Sequence, residues 1–267
     1  MLLLVNDTPT WANEGRAPNW VPSRPGDLAD FAAAAARRYR RVLYWMVWGE
    51  PSRQPNFMPL TPETPGKALT AAQAGAPRYY ARMLDATYAA LKRVRRSNVV
   101  IGGNTYTTGD ISPLNWIRSM RLPNGRRPRM DMYGHNPFTL RRPDLRQSLF
   151  RPATGYADFS DLDALWRWLD RYGYRDSRDR RLRIFISEWL LPTEHPNHEF
   201  NFWVTRAVQA RWLTAALRIV RHSPRIYTLG WFSLFDDPPR PAGDEVNRGL
   251  IDHKGLRKPS FYAYRDG

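Results

Sequence analysis

Two glutamates carry the chemical content of this sequence. Glu50 closes the apolar run "YWMVWGEP", and Glu188 closes "IFISEW". A carboxylate at the exit of a buried run breaks sharply with the residues before it. A pair of them is what hydrolysis of a glycosidic bond requires: one carboxylic acid protonates the leaving oxygen, and one carboxylate attacks the anomeric carbon. Taken singly, Glu50 also reads as a loop charge ahead of Pro51, and Glu188 as a strand-end partner for one of many arginines. Trp48 and Trp189 flank the pair, and a flat indole face suits a sugar ring as well as it suits a core.

Elements of regular spacing must carry these residues. Leu2–Val5 and segments 42–48, 98–104, 129–138, 182–189 and 226–237 read as strands. Between them, segments 27–41, 78–96, 113–121, 161–173 and 202–222 read as helices, and 259–265 closes the chain as a short one. Asp27 is the expected cap of the first helix, and Ser160 or Asp161 that of the fourth. Strands of continuous apolar character alternating with helices predict a parallel sheet covered on both faces. An open doubly wound sheet often carries a glycine-rich phosphate loop after its first strand. Here the first strand runs into "NDTPTWAN". A (β/α) barrel therefore fits better.

In such a barrel the active site lies at the carboxyl ends of the strands. Asn6, Glu50, Asn104, His135, Asn136, Glu188 and Trp231 would then converge on one rim. Trp11, Tyr106, Phe138 and Trp189 are further candidates for stacking on sugar, with core packing as the competing use. His135 reads equally as a hydrogen-bonded strand-end histidine. Asp236 and Asp237 fit a loop cap better than a sugar contact. "HPNHE", 195–199, lacks the helical His-Glu-x-x-His pattern of zinc proteases, so no metal is expected there.

The length of 267 residues suits one barrel domain, 1–267. The chain is 42% hydrophobic and 13% aromatic with eleven tryptophans, enough for a substantial core or an aromatic groove. Its formal net charge is +16, nearly all from arginine, since Lys67, Lys92, Lys254 and Lys258 are the only lysines. The arginines are scattered and several fall at helix ends, where cations favour the dipole. That distribution reads as solvated helix ends rather than a nucleic-acid groove. Cysteine is absent, which excludes disulfides, thiolate metal sites and a cysteine nucleophile. No apolar run reaches the roughly 18 residues of a membrane span. "MLLLVNDTPTW" lacks the charged lead of a signal peptide, and the compartment stays open.

The order of motifs resembles the clan A glycoside hydrolases, (β/α)8 retaining enzymes that include the cellulase-like family 5 and the β-xylosidase-like family 39. In that clan the acid/base glutamate follows strand 4 in an Asn-Glu-Pro motif. The nucleophile follows strand 7 in a motif similar to "SEW". Glu50 and Glu188 match these positions, with "NVVIGG" and "MDMYGH" between them as strands 5 and 6. "LVNDTPTWA" resembles the strand 3 exit, His135 a strand 6 position, and Trp231 the strand 8 tryptophan that floors the sugar site. The resemblance implies a retaining O-glycosyl hydrolase of β-linked sugars, with Glu50 as acid/base and Glu188 as nucleophile. Trp11, Trp48, Asn104, His135, Asn136, Trp189 and Trp231 would line the sugar site. It implies a carbohydrate partner, no cofactor and, for a full-length relative, secretion. Two features depart from the pattern. Gly49 stands where the clan has an asparagine that bonds the sugar 2-hydroxyl, and only about six of the eight β/α units are visible, as in an N-terminally shortened barrel. A sugar-binding protein without chemistry on the same fold, and a basic nucleic-acid binder, are the competing functions.

Overall fold

The computed structural model describes residues 1–147 and 154–267. Six strands form one all-parallel sheet in chain order: β1 (Leu2–Val5), β2 (Tyr44–Val47), β3 (Val99–Tyr106), β4 (Met132–Asn136), β5 (Arg183–Trp189) and β6 (Ile226–Trp231). The helices α1 (Pro25–Arg38), α2 (Gly75–Val94), α3 (Pro113–Ser119), α4 (Leu162–Arg171) and α5 (Arg206–His222) fill the connections, and α6 (Pro259–Asp266) packs on α5. Each strand therefore returns to the same end of the sheet through a helix, as parallel pairing demands.

The sheet is curled. In a flat sheet, β2 and β6 would lie four strand spacings apart, about 19 Å. Instead the rings of Tyr44 and Tyr227, one on each strand, have centroids 5.7 Å apart and their hydroxyls are hydrogen-bonded. Phe185 from β5 stacks on Tyr227 at 5.9 Å. This aromatic plug, together with Met46, Ile101 and Met132, fills the concave side. Alternate residues such as Trp45, Val47, Val100 and Ile184 point the other way, into the larger core beneath the helices. Period-two alternation thus buries both faces, and the strands read as unbroken apolar runs for that reason. Among the described residues, β1 and β6 have no strand on their outer edges. Leu4 on β1 is accordingly 45% exposed.

Element ends differ from the sequence reading by a few residues. Pro25 opens α1 at its first position, where a missing N–H costs nothing, with Arg24 as the cap residue. Asp27 lies inside the first turn, paired to Arg24 at 2.7 Å, rather than capping. Asp158 caps a short 3₁₀ turn, Phe159–Asp161, and Asp161 stands at the expected cap position of α4 without a side-chain cap bond. The strand expected over 226–237 ends at Trp231, because the chain beyond it turns away to bridge residue 251.

Candidate active site

The carboxyl end of β2 is under backbone strain. Trp48 and Glu50 both adopt positive φ, 68° and 44°, on either side of Gly49, and Asn104 at the end of β3 does so at 46°. Bulky side chains avoid this region, so Trp48 and Glu50 are held there by their surroundings, whereas asparagine at 104 adopts it readily. Trp48 is locked by its own packing. Its ring lies fully buried edge-on against Phe57, and its Nε1 donates to the Asn56 carbonyl at 2.8 Å. The kink that Trp48 anchors turns Glu50 inward, where it is only 8% exposed.

Glu50 is held by three donors. Asn136 Nδ2 donates to its Oε1 at 2.9 Å, while Arg53 Nη1 at 2.9 Å and Asn56 Nδ2 at 3.4 Å reach Oε2. Arg53 in turn lies over the Tyr106 ring at 4.5 Å. Asn136 is the centre of the arrangement. Its Oδ1 accepts from Ser187 Oγ at 2.9 Å and from the Glu188 backbone N–H at 3.2 Å, so one buried amide ties the ends of β2, β4 and β5 together. Asn104 adds a second tie, donating to the Trp48 carbonyl at 3.4 Å and accepting from Ser187 Oγ at 3.2 Å. Glu50 and Glu188 line one open cleft of about 340 Å³, with Asn6, Gly49 and Asn56 on its walls.

The two carboxylates sense each other. Burial raises the Glu188 carboxyl to about 7, and the Glu50 charge pushes it the same way, against the opposing pull of Arg248 and Arg53. Near neutral pH, Glu188 therefore shares its time between the acid and the carboxylate. Perturbed acids of this sort in a cleft are a recognised mark of function.

The other sequence candidates fall into two sets. Asn136 joins the glutamates directly, Asn104 reaches them only through Trp48 and Ser187, and Trp231 ends β6 opposite Trp189, its Nε1 donating to the Arg248 carbonyl at 3.0 Å. Trp11 lies at the rim, 76% exposed, and lines a neighbouring apolar groove of about 410 Å³ that shares Asn6 and Asp7 with the glutamate cleft. Tyr106 and Phe138, 5.3 Å apart, stand on the Arg53 side. Trp48, Trp189 and His135, by contrast, are fully buried. Trp189 packs between Phe159 and Trp231, at 5.0 and 5.5 Å, and holds the Trp231 ring edge-on rather than facing the cleft itself. His135 Nε2 must donate to the Ala157 carbonyl at 2.9 Å, leaving Nδ1 to accept from Thr105 at 2.9 Å. Burial keeps it neutral, with its pKa pushed down to about 4. Asp236 is buried against Lys258 Nζ at 2.6 Å, and Asp237 is paired to Arg248 at 2.9 Å, so both brace the loop after β6. His195 and His198 likewise bond to the 244–247 segment.

Arg53, Asn56, Ser187, Arg248 and Glu199 were not legible as site residues from the sequence. Arg53 is three residues from Glu50, the spacing of a turn, and that signal could have drawn attention to it. Ser187 precedes Glu188, so on a strand it points to the opposite face, toward the amides. Arg248 and Glu199 come from distant loops, joined at 2.8 Å.

No family model and no curated protein matches the chain by sequence. Solved structures do match by shape. A monomeric β-xylosidase from Caulobacter crescentus CB15 superposes with a TM-score of 0.59 at 17% identity, over 92% of this chain and 47% of that one. A family 39 glycoside hydrolase from Bacteroides cellulosilyticus WH2 gives 0.61 at 18%, over 97% and 48%. A glucosidase from Croceicoccus marinus gives 0.60 at 15%, over 92% and 45%. The chain has the fold of glycoside hydrolase barrels. It spans about half the length of these structures. The alternation of strands and helices and the partial (β/α)8 architecture expected from the sequence are thus present. No helix among the described residues is long and apolar enough to cross a membrane.

Proposed function

We propose that this chain carries the cleft of a retaining β-glycosidase that works by double displacement. The observation that carries the proposal is the placement of Glu50 and Glu188 in one cleft at the carboxyl ends of β2 and β5, joined through the single amide of Asn136. In the first step, Glu188 attacks the anomeric carbon while Glu50 passes its proton to the leaving oxygen. In the second, Glu50 takes a proton from water, the water oxygen attacks the same carbon, and Glu188 departs. Glu188 must shed its proton to attack, and the positive charge that develops on the sugar favours that. Arg53 must release Glu50 for it to act as an acid, so we assign Arg53 the role of returning Glu50 to the anion after each transfer. Asn136 is a positioning residue that keeps the two carboxyls in register.

Trp11 and the groove it shares with Asn6 and Asp7 supply an apolar wall next to the cleft, suited to one face of a pyranose ring. β-Xylosides are the first substrates to test, because β-xylosidases are among the similar folds. The decisive experiment is turnover of aryl β-xyloside and β-glucoside by the wild type and by Glu188→Gln. Loss of at least about a thousandfold in kcat with binding retained supports the proposal. Binding by the wild type with no turnover at all identifies a sugar-binding protein without chemistry.

One observation favours a second reading, in which the two roles are exchanged. Glu188 is the carboxyl with the raised pKa, and Glu50 is the one paired with an arginine. Environments that separate two carboxyls in this way assign the acid to the raised one. The pH profile of kcat/KM separates the readings. With Glu188 as nucleophile the rate rises with pH through about 7, and with Glu188 as acid it falls through the same value.

A further inference from the structure

The outer helical layer holds a cavity that the proposed chemistry does not use. It has a volume of about 760 Å³ and lies between the first two turns of α2, the chain that follows α3, and the 68–75 segment. Arg78, Arg82, Arg118 and Arg121 line it, and no acidic residue does.

Other arginines, such as Arg37, Arg93 and Arg126, lack an ion pair among the described residues as these four do; the four are set apart by lining one cavity. Most other arginines with structural partners are matched to carboxylates, as Arg129 is to Asp85 at 2.8 Å and Arg225 to Asp170 at 2.8 Å. Among the described residues none of the four groove arginines lies within ion-pair distance of a carboxylate. Arg118 stands in the last turn of α3, where the helix dipole accounts for a cation. Arg82 lies over the Tyr79 ring at 4.8 Å. Arg121 is held near the Tyr172 and Tyr174 rings, with its Nη1 buried and without a hydrogen-bond partner. Burial and the neighbouring Arg127 both push its pKa down. The amino end of α2, with no acidic residue in its first turn and no side-chain cap, adds its positive pole to the same space. Four guanidinium groups with no acidic residue among them give this cavity a positive lining that suits an anion.

We propose that this groove binds a carboxylated glycan, an acidic sugar chain whose uronate groups pair with Arg78, Arg82 and Arg121. The inference rests on the glycosidase reading for its sugar component and on the groove itself for its charge. The volume falls in the range of roughly 300–1,000 Å³ typical of pockets for organic ligands, larger than an inorganic anion needs. A guanidinium fork matches a planar carboxylate with two parallel bonds. No aromatic side chain lines the cavity, so it offers no platform for the base stacking that single-stranded nucleic acid relies on. The net charge of +16 draws any polyanion toward the molecule. The groove is also continuous in sequence with the cleft: the segment leaving β2 contributes Arg53 and Asn56 to the glutamates and Ala68 and Leu69 to the arginines.

The test is calorimetric titration of the full chain with an oligogalacturonate, a neutral xylo-oligosaccharide and a single-stranded oligonucleotide, at two salt concentrations. The variants are Arg78→Gln/Arg82→Gln, both exposed positions, Arg121→Lys, and Glu188→Gln. The oligogalacturonate is expected to bind wild type and Glu188→Gln equally and the double variant at least about tenfold more weakly, with affinity falling as salt rises. Arg121→Lys, which keeps the charge and loses the fork, is expected to fall between them. Equal binding to wild type and the double variant overturns the proposal. So does equal binding of the neutral oligosaccharide, or tighter binding of the oligonucleotide that the double variant loses. Acidic-chain binding that depends on the arginines, in a protein that cleaves no glycoside, leaves the groove standing and removes the cleft reading. Cleavage without acidic-chain binding does the reverse.

Discussion

Glu188→Gln should stabilise the protein, and by an amount that depends on pH. The Glu188 carboxyl is raised from an ordinary 4.5 to about 7, first by burial and then by the charge of Glu50. The folded chain therefore keeps a proton that the unfolded chain has lost between these two values. Stability attributable to this group falls as pH rises through that window and is level above it. The gap corresponds to about 3 kcal/mol, at about 1.4 kcal/mol for each pH unit. Glutamine carries no charge at any pH and has nearly the same shape. At pH 4 both proteins hold a neutral side chain and should unfold at nearly the same urea concentration. At pH 8 the variant should gain about 3 kcal/mol, a midpoint shift of about 1 M urea for a slope of about 3 kcal/mol per M. Urea titrations followed by tryptophan fluorescence at the two pH values measure this difference directly. A gain of the same size at pH 4 and pH 8 refutes the reasoning, because an uncharged contact would then be responsible. No gain at pH 8 also refutes it, because Glu188 would then ionise in the fold without penalty and the cleft would be fully solvated. A stabilising loss of function is the expected cost of a carboxylate held where it does not ionise easily.

Further outcomes follow from the same geometry. Gly49→Asn should fold, since a Cβ there meets only Leu4 Cδ2 at 3.4 Å and Asn6 Oδ1 at 3.7 Å, and kcat on aryl β-glycosides should rise if the side chain reaches the sugar 2-hydroxyl. An unchanged kcat with an intact fold would refute a role for this position in meeting that hydroxyl. His135, neutral and pushed down to about 4, leaves the native state short of a proton that the unfolded chain takes up below about 6.5, so stability should fall by up to about 3 kcal/mol as pH drops through that window. His135→Gln should flatten that part of the stability profile measured by urea titration. Asn136→Ala should cost about 2–4 kcal/mol in unfolding free energy, because Glu50, Ser187 and the Glu188 N–H each lose a buried partner. Lys258→Met should cost about 3–5 kcal/mol by stranding Asp236, whereas Lys258→Met with Asp236→Leu should recover most of it in the same assay.

The sequence by itself determined the order and kind of the elements, and through them the side chains that leave each strand at its carboxyl end. Runs such as "YWMV" and "RIFIS" carry their assignment in composition, because strands covered on both faces need apolar residues at every position. Once strands are parallel and linked by helices, all carboxyl ends meet on one side, so Glu50 and Glu188 were bound to share a rim. Gly49 was equally visible as the odd residue beside Glu50. What each residue on that rim does depended on longer-range packing. Trp48 and Trp189 look like sugar platforms in sequence, yet both are fully buried, because their places under Phe57 and Phe159 are set by segments tens of residues distant or by a loop between elements. His135 was turned away from the cleft by Thr105 and the Ala157 carbonyl. The partners of the glutamates, Arg53, Asn136 and Arg248, and the pairing state of every arginine, were likewise decided in three dimensions. A guanidinium reads the same in sequence whether it meets a carboxylate or none. Only the fold reveals that Arg78, Arg82 and Arg121 were brought together with none, because ion pairing depends on distances of a few ångströms between residues that the chain keeps far apart.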